Sequence, residues 1–177
     1  HVPLFRGSEF ADVSKRGLYG DVIEEIDASV GAIVDALKAQ SLEQHTVLVF
    51  TSDNGPWLVF DEHGGSAGTL RDGKGSSWEG GVREPTVIWG PGLVKPGVVS
   101  DMGSTLDLLP TFLGLAGIAL PEDRVLDGYD LTPVLTGLSP SPRREMIYYW
   151  GEQIYAARVG PFKAHYTTYT EYRGQQP

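Results

Sequence analysis

Residues 46–85 read TVLVFTSDNGPWLVFDEHGGSAGTLRDGKGSSWEGGVREP. The opening residues, apolar and β-branched through Thr51, predict a short buried strand. Asp53 and Asn54 stand just past its end, directly before Gly55-Pro56. In open α/β sheets ligands bind beyond the carboxyl ends of the strands. A carboxylate and a carboxamide there are placed to hold a hard cation, because Ca²⁺ and Mg²⁺ prefer oxygen donors. Further along, Lys74 is flanked by Gly73 and Gly75, a cation on backbone that approaches a ligand closely. Asp-Asn followed by such a lysine suggests a metal site with an anionic substrate beside it.

The chain on either side predicts a layered α/β fold. Residues 1–18 read as a loop broken by Pro3, Gly7 and Gly17. Residues 21–40 carry Val22, Ile23, Ile26, Val30, Ile33, Val34 and Leu37 at three- and four-residue steps, a helix with one buried stripe. Asp21, Glu24 and Glu25 in its first turns suit the helix dipole and read as a solvated face. Helix followed by strand is the rhythm of stacked α and β layers. Past the glycine-dense residues 64–81, residues 86–89 predict a second strand. Residues 104–117 predict a helix in which Pro110 is a kink or an early-turn residue. A loop over 121–129 and a short helix or turn over 131–138 follow. SPSPRR at 139–144 reads as a linker, and 146–150, 154–159 and 162–168 as an antiparallel meander. Its Arg158, Lys163, His165 and Tyr166 read as sheet faces.

Composition narrows the function classes. Net charge is −9, from 14 Lys+Arg against 23 Asp+Glu, which argues against a nucleic-acid binder with its basic stripe. No apolar run approaches the ~20 residues that span a bilayer, so no transmembrane segment is expected. There is no cysteine, hence no disulfide or thiolate metal site, and Asn54-Gly-Pro is no glycosylation sequon. These two features lean away from a glycosylated, disulfide-bonded secreted animal protein. The chain starts at His1 without an initiator Met or leader, and is expected to be a piece of a longer polypeptide.

GTLRDGKG at 68–75 nearly matches the phosphate-cradling loop, but Gly75 replaces the hydroxyl and Gly80-Gly81 and Pro85 oppose a following helix. Asp53 and Lys74 together make better chemistry. A cation neutralises an anionic oxygen while the lysine stabilises charge as a bond breaks. Histidine in place of Asn54 would bring nitrogen and favour zinc, whereas a carboxamide keeps the shell all-oxygen.

SDNG (52–55) followed by GKGSSWEGGVREP (73–85) resembles the sulfatase family, specifically its arylsulfatase A and N-acetylgalactosamine-6-sulfatase branch. HVPLF (1–5), RGLYGDVIEEIDASVG (16–31), GGSAG (64–68), STLDLLPT (104–111), LDGYDL (126–131) and FKAH (162–165) match collinearly. The resemblance implies an alkaline-phosphatase-like α/β sandwich, present in part, with a small C-terminal antiparallel sheet. Residues 1–138 would then be the C-terminal half of the catalytic domain, and 139–177 the start of the small subdomain. It implies hydrolysis of sulfate esters, on sulfated small molecules or glycans, by a formylglycine made from Cys or Ser in C/S-x-P-x-R. Asp53 and Asn54 match the family's calcium or magnesium ligands. Lys74 matches the lysine on the sulfate and its bridging oxygen. His1 matches the histidine that contacts sulfate and helps protonate the leaving alcohol. Family precedent puts such a protein in the periplasm, outside the cell or in the lysosome, and the missing cysteines and sequons favour a bacterial periplasmic or secreted setting. Glu79, Arg83 and Glu84 read as structural, pinned by loop salt bridges.

The departures set further expectations. No C/S-x-P-x-R occurs; Ser139-Pro140-Ser141-Pro142-Arg143 has Ser where the motif needs Pro. The 177 residues alone are therefore expected to be inactive, to bind Ca²⁺ weakly and to expose apolar sheet faces. Two alternatives stay open: a phosphatase or phosphodiesterase of the same superfold, and a non-catalytic anion-binding module.

Overall fold

The computed structural model describes residues 3–168. They form helices α1 (Gly17–Ala39), α2 (Glu79–Val82), α3 (Leu108–Leu115) and α4 (Thr132–Leu135), and strands β1 (Leu48–Thr51), β2 (Thr86–Trp89), β3 (Glu145–Trp150), β4 (Gln153–Val159) and β5 (Phe162–His165), with short 3-10 segments between. One compact unit comprises His1–Leu42, Val49–Val87 and His165–Pro177, the other Glu43–Leu48 and Ile88–Ala164.

In the first unit, α1 begins about one turn before the expected start, and the side chain of its N-cap residue Arg16 makes no capping bond to the helix. Asp21 reaches back to the preceding loop instead. It accepts from the amides of Ser14 at 2.8 Å and Asp12 at 3.0 Å, and Arg6 Nε lies 2.8 Å from Oδ2. Glu25 accepts from the Gly7 amide at 2.8 Å in the same way. The expected solvated acidic face is therefore corrected at Asp21, which is buried. The folded-back loop has N–H groups that need acceptors, and these carboxylates supply them. The Ser14 amide, with the Asp12 amide and the Arg6 guanidinium, outweighs the opposing effect of burial and holds Asp21 below its ordinary pKa of 3.8.

A depressed folded-state value means Asp21's contribution is complete above the unfolded value and lost as pH falls through the folded one. The urea midpoint of Asp21→Asn is expected to lie below the wild type at neutral pH and to converge with it below pH 3.8. A gap that stays constant with pH would show that the charge carries none of the difference.

The apolar stripe on α1 is only partly covered. Val22, Val30, Val34 and Leu37 are half-buried, but Ile23, Ile26 and Ile33 are exposed among the described residues. The elements packed on α1 are the short 3-10 segments Ser8–Phe10 and Leu58–His63, which leave much of a 23-residue helix open.

β1 and β2 form a two-stranded sheet. Thr51 Oγ1 and Thr86 Oγ1 meet at 2.8 Å, which brings the end of β1 beside the start of β2.

In the second unit, Ser104 and Asp107 form a capping box ahead of α3. Pro110 is an early-turn residue of α3, at a position whose amide has no intrahelical acceptor. The expected linker at 139–144 is corrected, because Ser141 and Arg143 are buried. Ser141 donates to the Met102 carbonyl at 2.7 Å. Arg143 holds Asp107 with its Nε at 2.8 Å and a second, short bond from its terminal nitrogen. It also donates to the Asp127 carbonyl at 2.9 Å. Composition reads Ser, Pro and Arg as loop, yet arginine's fork is suited to a buried carboxylate. The expected meander is a three-stranded sheet in the order β3-β4-β5. β3 and β4 run antiparallel from Glu145↔Val159 to Trp150↔Gln153, with an irregularity between Tyr148 and Tyr149.

Candidate functional site

The site begins where β1 ends. Ser52 Oγ donates to the Asn54 carbonyl at 2.9 Å, turning the chain just past the strand. Gly55 N then bonds the Gly81 carbonyl at 3.2 Å. A Cβ on Gly55 would run into the Gly80 carbonyl oxygen, and one on Gly80 into that of Asp72. The Asp53-Asn54 turn, the Lys74 loop and α2 are thus stacked backbone on backbone, and only glycine permits that approach. The amide of Lys74 bonds the Pro56 carbonyl at 2.9 Å, tying the lysine to the segment that carries Asp53 and Asn54. Its ammonium lies 4.8 Å from the centroid of the Trp57 ring, a cation–π contact that keeps it beside the turn. Behind it α2 is a single turn, so the Lys74 loop lacks the long helix of a nucleotide-binding loop.

Asp53, Asn54 and Lys74 line one cleft of about 640 Å³, together with Tyr19, Trp57, His63, Arg83 and Glu84. The structure therefore brings three of the four sequence-predicted site residues to one place. The fourth, His1, lies outside the described residues.

Sequence reasoning passed over Glu84. Among the described residues the loop-pinning salt bridge expected for it is not formed. Its Oε1 is instead buried and has no hydrogen-bond partner. Burial first, and the charge of Asp53 second, push its carboxyl above its ordinary pKa of 4.5. Spacing gives no signal for this pairing. It arises because β2 lies beside β1 and delivers Glu84-Pro85 next to the Asp53 turn. His63 was likewise unremarked; it ends the 3-10 segment Leu58–His63 and also borders a second, apolar recess formed with Pro3, Leu4, Leu18 and Phe60.

Among the described residues no three of His, Cys, Asp and Glu converge as a metal-binding group. The turn after β1 itself presents oxygen donors, the Asp53 carboxylate and the Asn54 carboxamide, and the Glu84 carboxyl and the His63 imidazole line the same cleft. The oxygen donors of the turn suit a hard cation. Lys74 and Arg83 add positive charge for an anionic ligand on the same cleft.

The sulfatase family model matches residues 4–118. The chain is 44% identical over 173 residues to arylsulfatase A of Homo sapiens, covering 95% of this chain and 34% of that protein. It is 43% identical over 172 residues to N-acetylgalactosamine-6-sulfatase of Canis lupus familiaris, covering 96% of this chain and 33% of the relative. It thus spans about a third of the length of these curated relatives. Among solved structures, the PsFucS1 sulfatase of Pseudoalteromonas sp. superposes with a TM-score of 0.83 at 30% identity, over 94% of this chain and 34% of that one. A Bacteroides thetaiotaomicron protein labelled 6S-sulf, from work on the metabolism of multiple glycosaminoglycans, superposes with a TM-score of 0.80 at 31% identity, over 92% of this chain and 36% of that one. The expected α/β class, alkaline-phosphatase-like, is the one these neighbours share. No helix among the described residues is long and apolar enough to cross a membrane. Sequence, fold and the family's model over most of its length agree: the chain belongs to the sulfatase family.

Proposed function

We propose that this chain carries the cation- and sulfate-binding half of a sulfuric-ester hydrolase acting on a sulfated small molecule or glycan. The observation that supports it is the convergence of Asp53, Asn54 and Lys74 on one cleft. Asp53 and Asn54 would hold Ca²⁺ or Mg²⁺, which when bound neutralises an anionic oxygen in the site. Lys74 would grip the sulfate and its bridging oxygen and stabilise the negative charge that grows as the S–O bond breaks. His1 would pass a proton to the departing alcohol oxygen. The attacking oxygen would belong to a formylglycine outside these residues, since the chain holds no cysteine and no S-x-P-x-R. Net, one water is consumed and an alcohol and sulfate are released.

The test uses the full-length polypeptide. Asp53→Asn, or removal of the metal by a chelator, is expected to lower kcat on an aryl sulfate by at least about 10²-fold, since a bound cation supplies several kcal/mol of charge stabilisation. Added Ca²⁺ should restore the chelated wild type and not the variant. Faster turnover of a phosphate ester than of the sulfate, with zinc as the activating ion, would replace this reading by the phosphatase one.

A further inference from the structure

We propose that His165 is a positioning residue for Lys74, acting through the ring of Trp78 and the hydroxyl of Ser77. The inference deepens the reading of Lys74 given above and rests on it.

Lys74 stands between Gly73 and Gly75, and glycine leaves a backbone freer than any other residue. Its ammonium ends a flexible four-carbon stem, so its aim depends on how firmly the loop beneath it is held. Inside the loop, Ser76 donates from its hydroxyl to the Gly73 carbonyl at 3.0 Å. The closure comes from Trp78. The Arg71 guanidinium carbon lies 3.7 Å from the centroid of its ring, and the Gly80 amide bonds the Arg71 carbonyl at 2.8 Å. The two ends of 71–78 are thereby fastened to each other. The His165 imidazole stacks on the same indole, with centroids 3.9 Å apart and planes 30° apart. Two groups this near one centroid would overlap on a single face, so Trp78 is held between a guanidinium and an imidazole. The indole Nε1 is buried without a hydrogen-bond partner among the described residues, which leaves the ring's faces as what it contributes here. Ser77 is buried too, and its hydroxyl meets His165 Nδ1 at 3.2 Å. His165 thus grips two successive residues at the end of the lysine's loop, within the same compact unit. Among the described residues neither His165 nor Trp78 lines the cleft that Lys74 shares with Asp53 and Asn54. Their effect on the chemistry therefore passes through the loop, by fixing where the lysine's stem begins.

The test is a double-mutant cycle on the full-length polypeptide, read as kcat and KM on an aryl sulfate, with melting curves to confine the comparison to folded protein. His165→Ala is expected to lower kcat by about 10–100-fold with little change in KM, since a small misplacement of a group at the reacting centre costs up to about 10²-fold. In a Lys74→Ala background the same substitution should cost nothing further, because a residue that acts through the lysine has nothing left to position. A merely structural residue would lower both backgrounds alike. His165→Phe keeps a ring against Trp78 and loses the Ser77 contact, so its kcat should fall between those of the wild type and His165→Ala. If Lys74→Ala loses kcat while His165→Ala turns over as the wild type does, or if the two losses are independent, the inference is overturned. Should Lys74→Ala itself turn over as the wild type does, the reading of Lys74 fails, and the two failures are told apart. If His165→Ala does not fold, the cycle is run with His165→Phe. A loss that vanishes in the Lys74→Ala background then supports the inference, and wild-type turnover or an equal loss in both backgrounds overturns it.

Discussion

Arg143→Ala is expected to destabilise the protein by about 3–5 kcal/mol, the cost of leaving a buried carboxylate without its partner. Asp107 is fully buried and Arg143 is 6% exposed. The carboxylate takes two bonds from the guanidinium and accepts from the amides of Ser104 and Tyr129, each at 2.8 Å. Removing the arginine therefore strands a charge at the junction of the α3 cap, the loop before α4 and the segment leading into β3. Arg143→Lys should recover only part of the loss, since an ammonium cannot reproduce the two-pronged bond or reach the Asp127 carbonyl as well. The measurement is the urea midpoint with its slope. A useful contrast is Arg124, which pairs with Asp123 at 2.5 Å with both side chains about two-thirds exposed. Arg124→Ala should leave the midpoint where it was, because exposed pairs are screened and loosely held. Equal effects from the two substitutions would mean that burial does not govern the strength of the Asp107 pair.

That clamp marks where the sequence stopped being readable. Periodicity located α1, β1, β2, α3 and the final sheet because each sets its own apolar spacing over a few residues. The Asp53-Asn54 turn and Lys74 were legible for a similar reason: strand, turn and glycine-flanked lysine are local patterns. Asp21 and Arg143 were misread, and the salt bridge expected at Glu84 is missing among the described residues, because such contacts depend on groups distant in sequence. Asp21 is a helix-start acid by position, and becomes a buried acceptor only when the preceding loop folds back. SPSPRR is a linker by composition, and becomes core only because Asp107 waits for its arginine. Glu84 sits in a motif whose residue types suggest salt bridges, and its orphaned oxygen appears only once β2 lies beside β1. Charged side chains are the common factor. Their energy is set by who desolvates and faces them, which local spacing does not encode.

Lys74→Ala is expected to lower kcat on a sulfate ester by about 10²–10³-fold in the full-length polypeptide, roughly 2.7–4 kcal/mol of transition-state stabilisation. The size follows from how the lysine is presented. Its amide is fixed to the Pro56 carbonyl at 2.9 Å, and Gly75 after it holds a positive φ of 84° that other residues would resist. The ammonium rests 4.8 Å from the Trp57 ring centroid, near the Asp53 turn and with no carboxylate bonded to it among the described residues. A preorganised cation of this kind acts most on the charge that grows as the S–O bond lengthens, so the loss should fall on kcat more than on KM. Lys74→Arg should recover little, because the planar fork offers a different reach and geometry from a point charge. Calcium affinity should survive Lys74→Ala, since the lysine contributes no oxygen to the cation. That result would separate the anion-binding function from the metal-binding one on the same cleft. If KM rises while kcat holds, Lys74 binds the ground state and transition state alike, and the charge on the departing oxygen must be met elsewhere in the site.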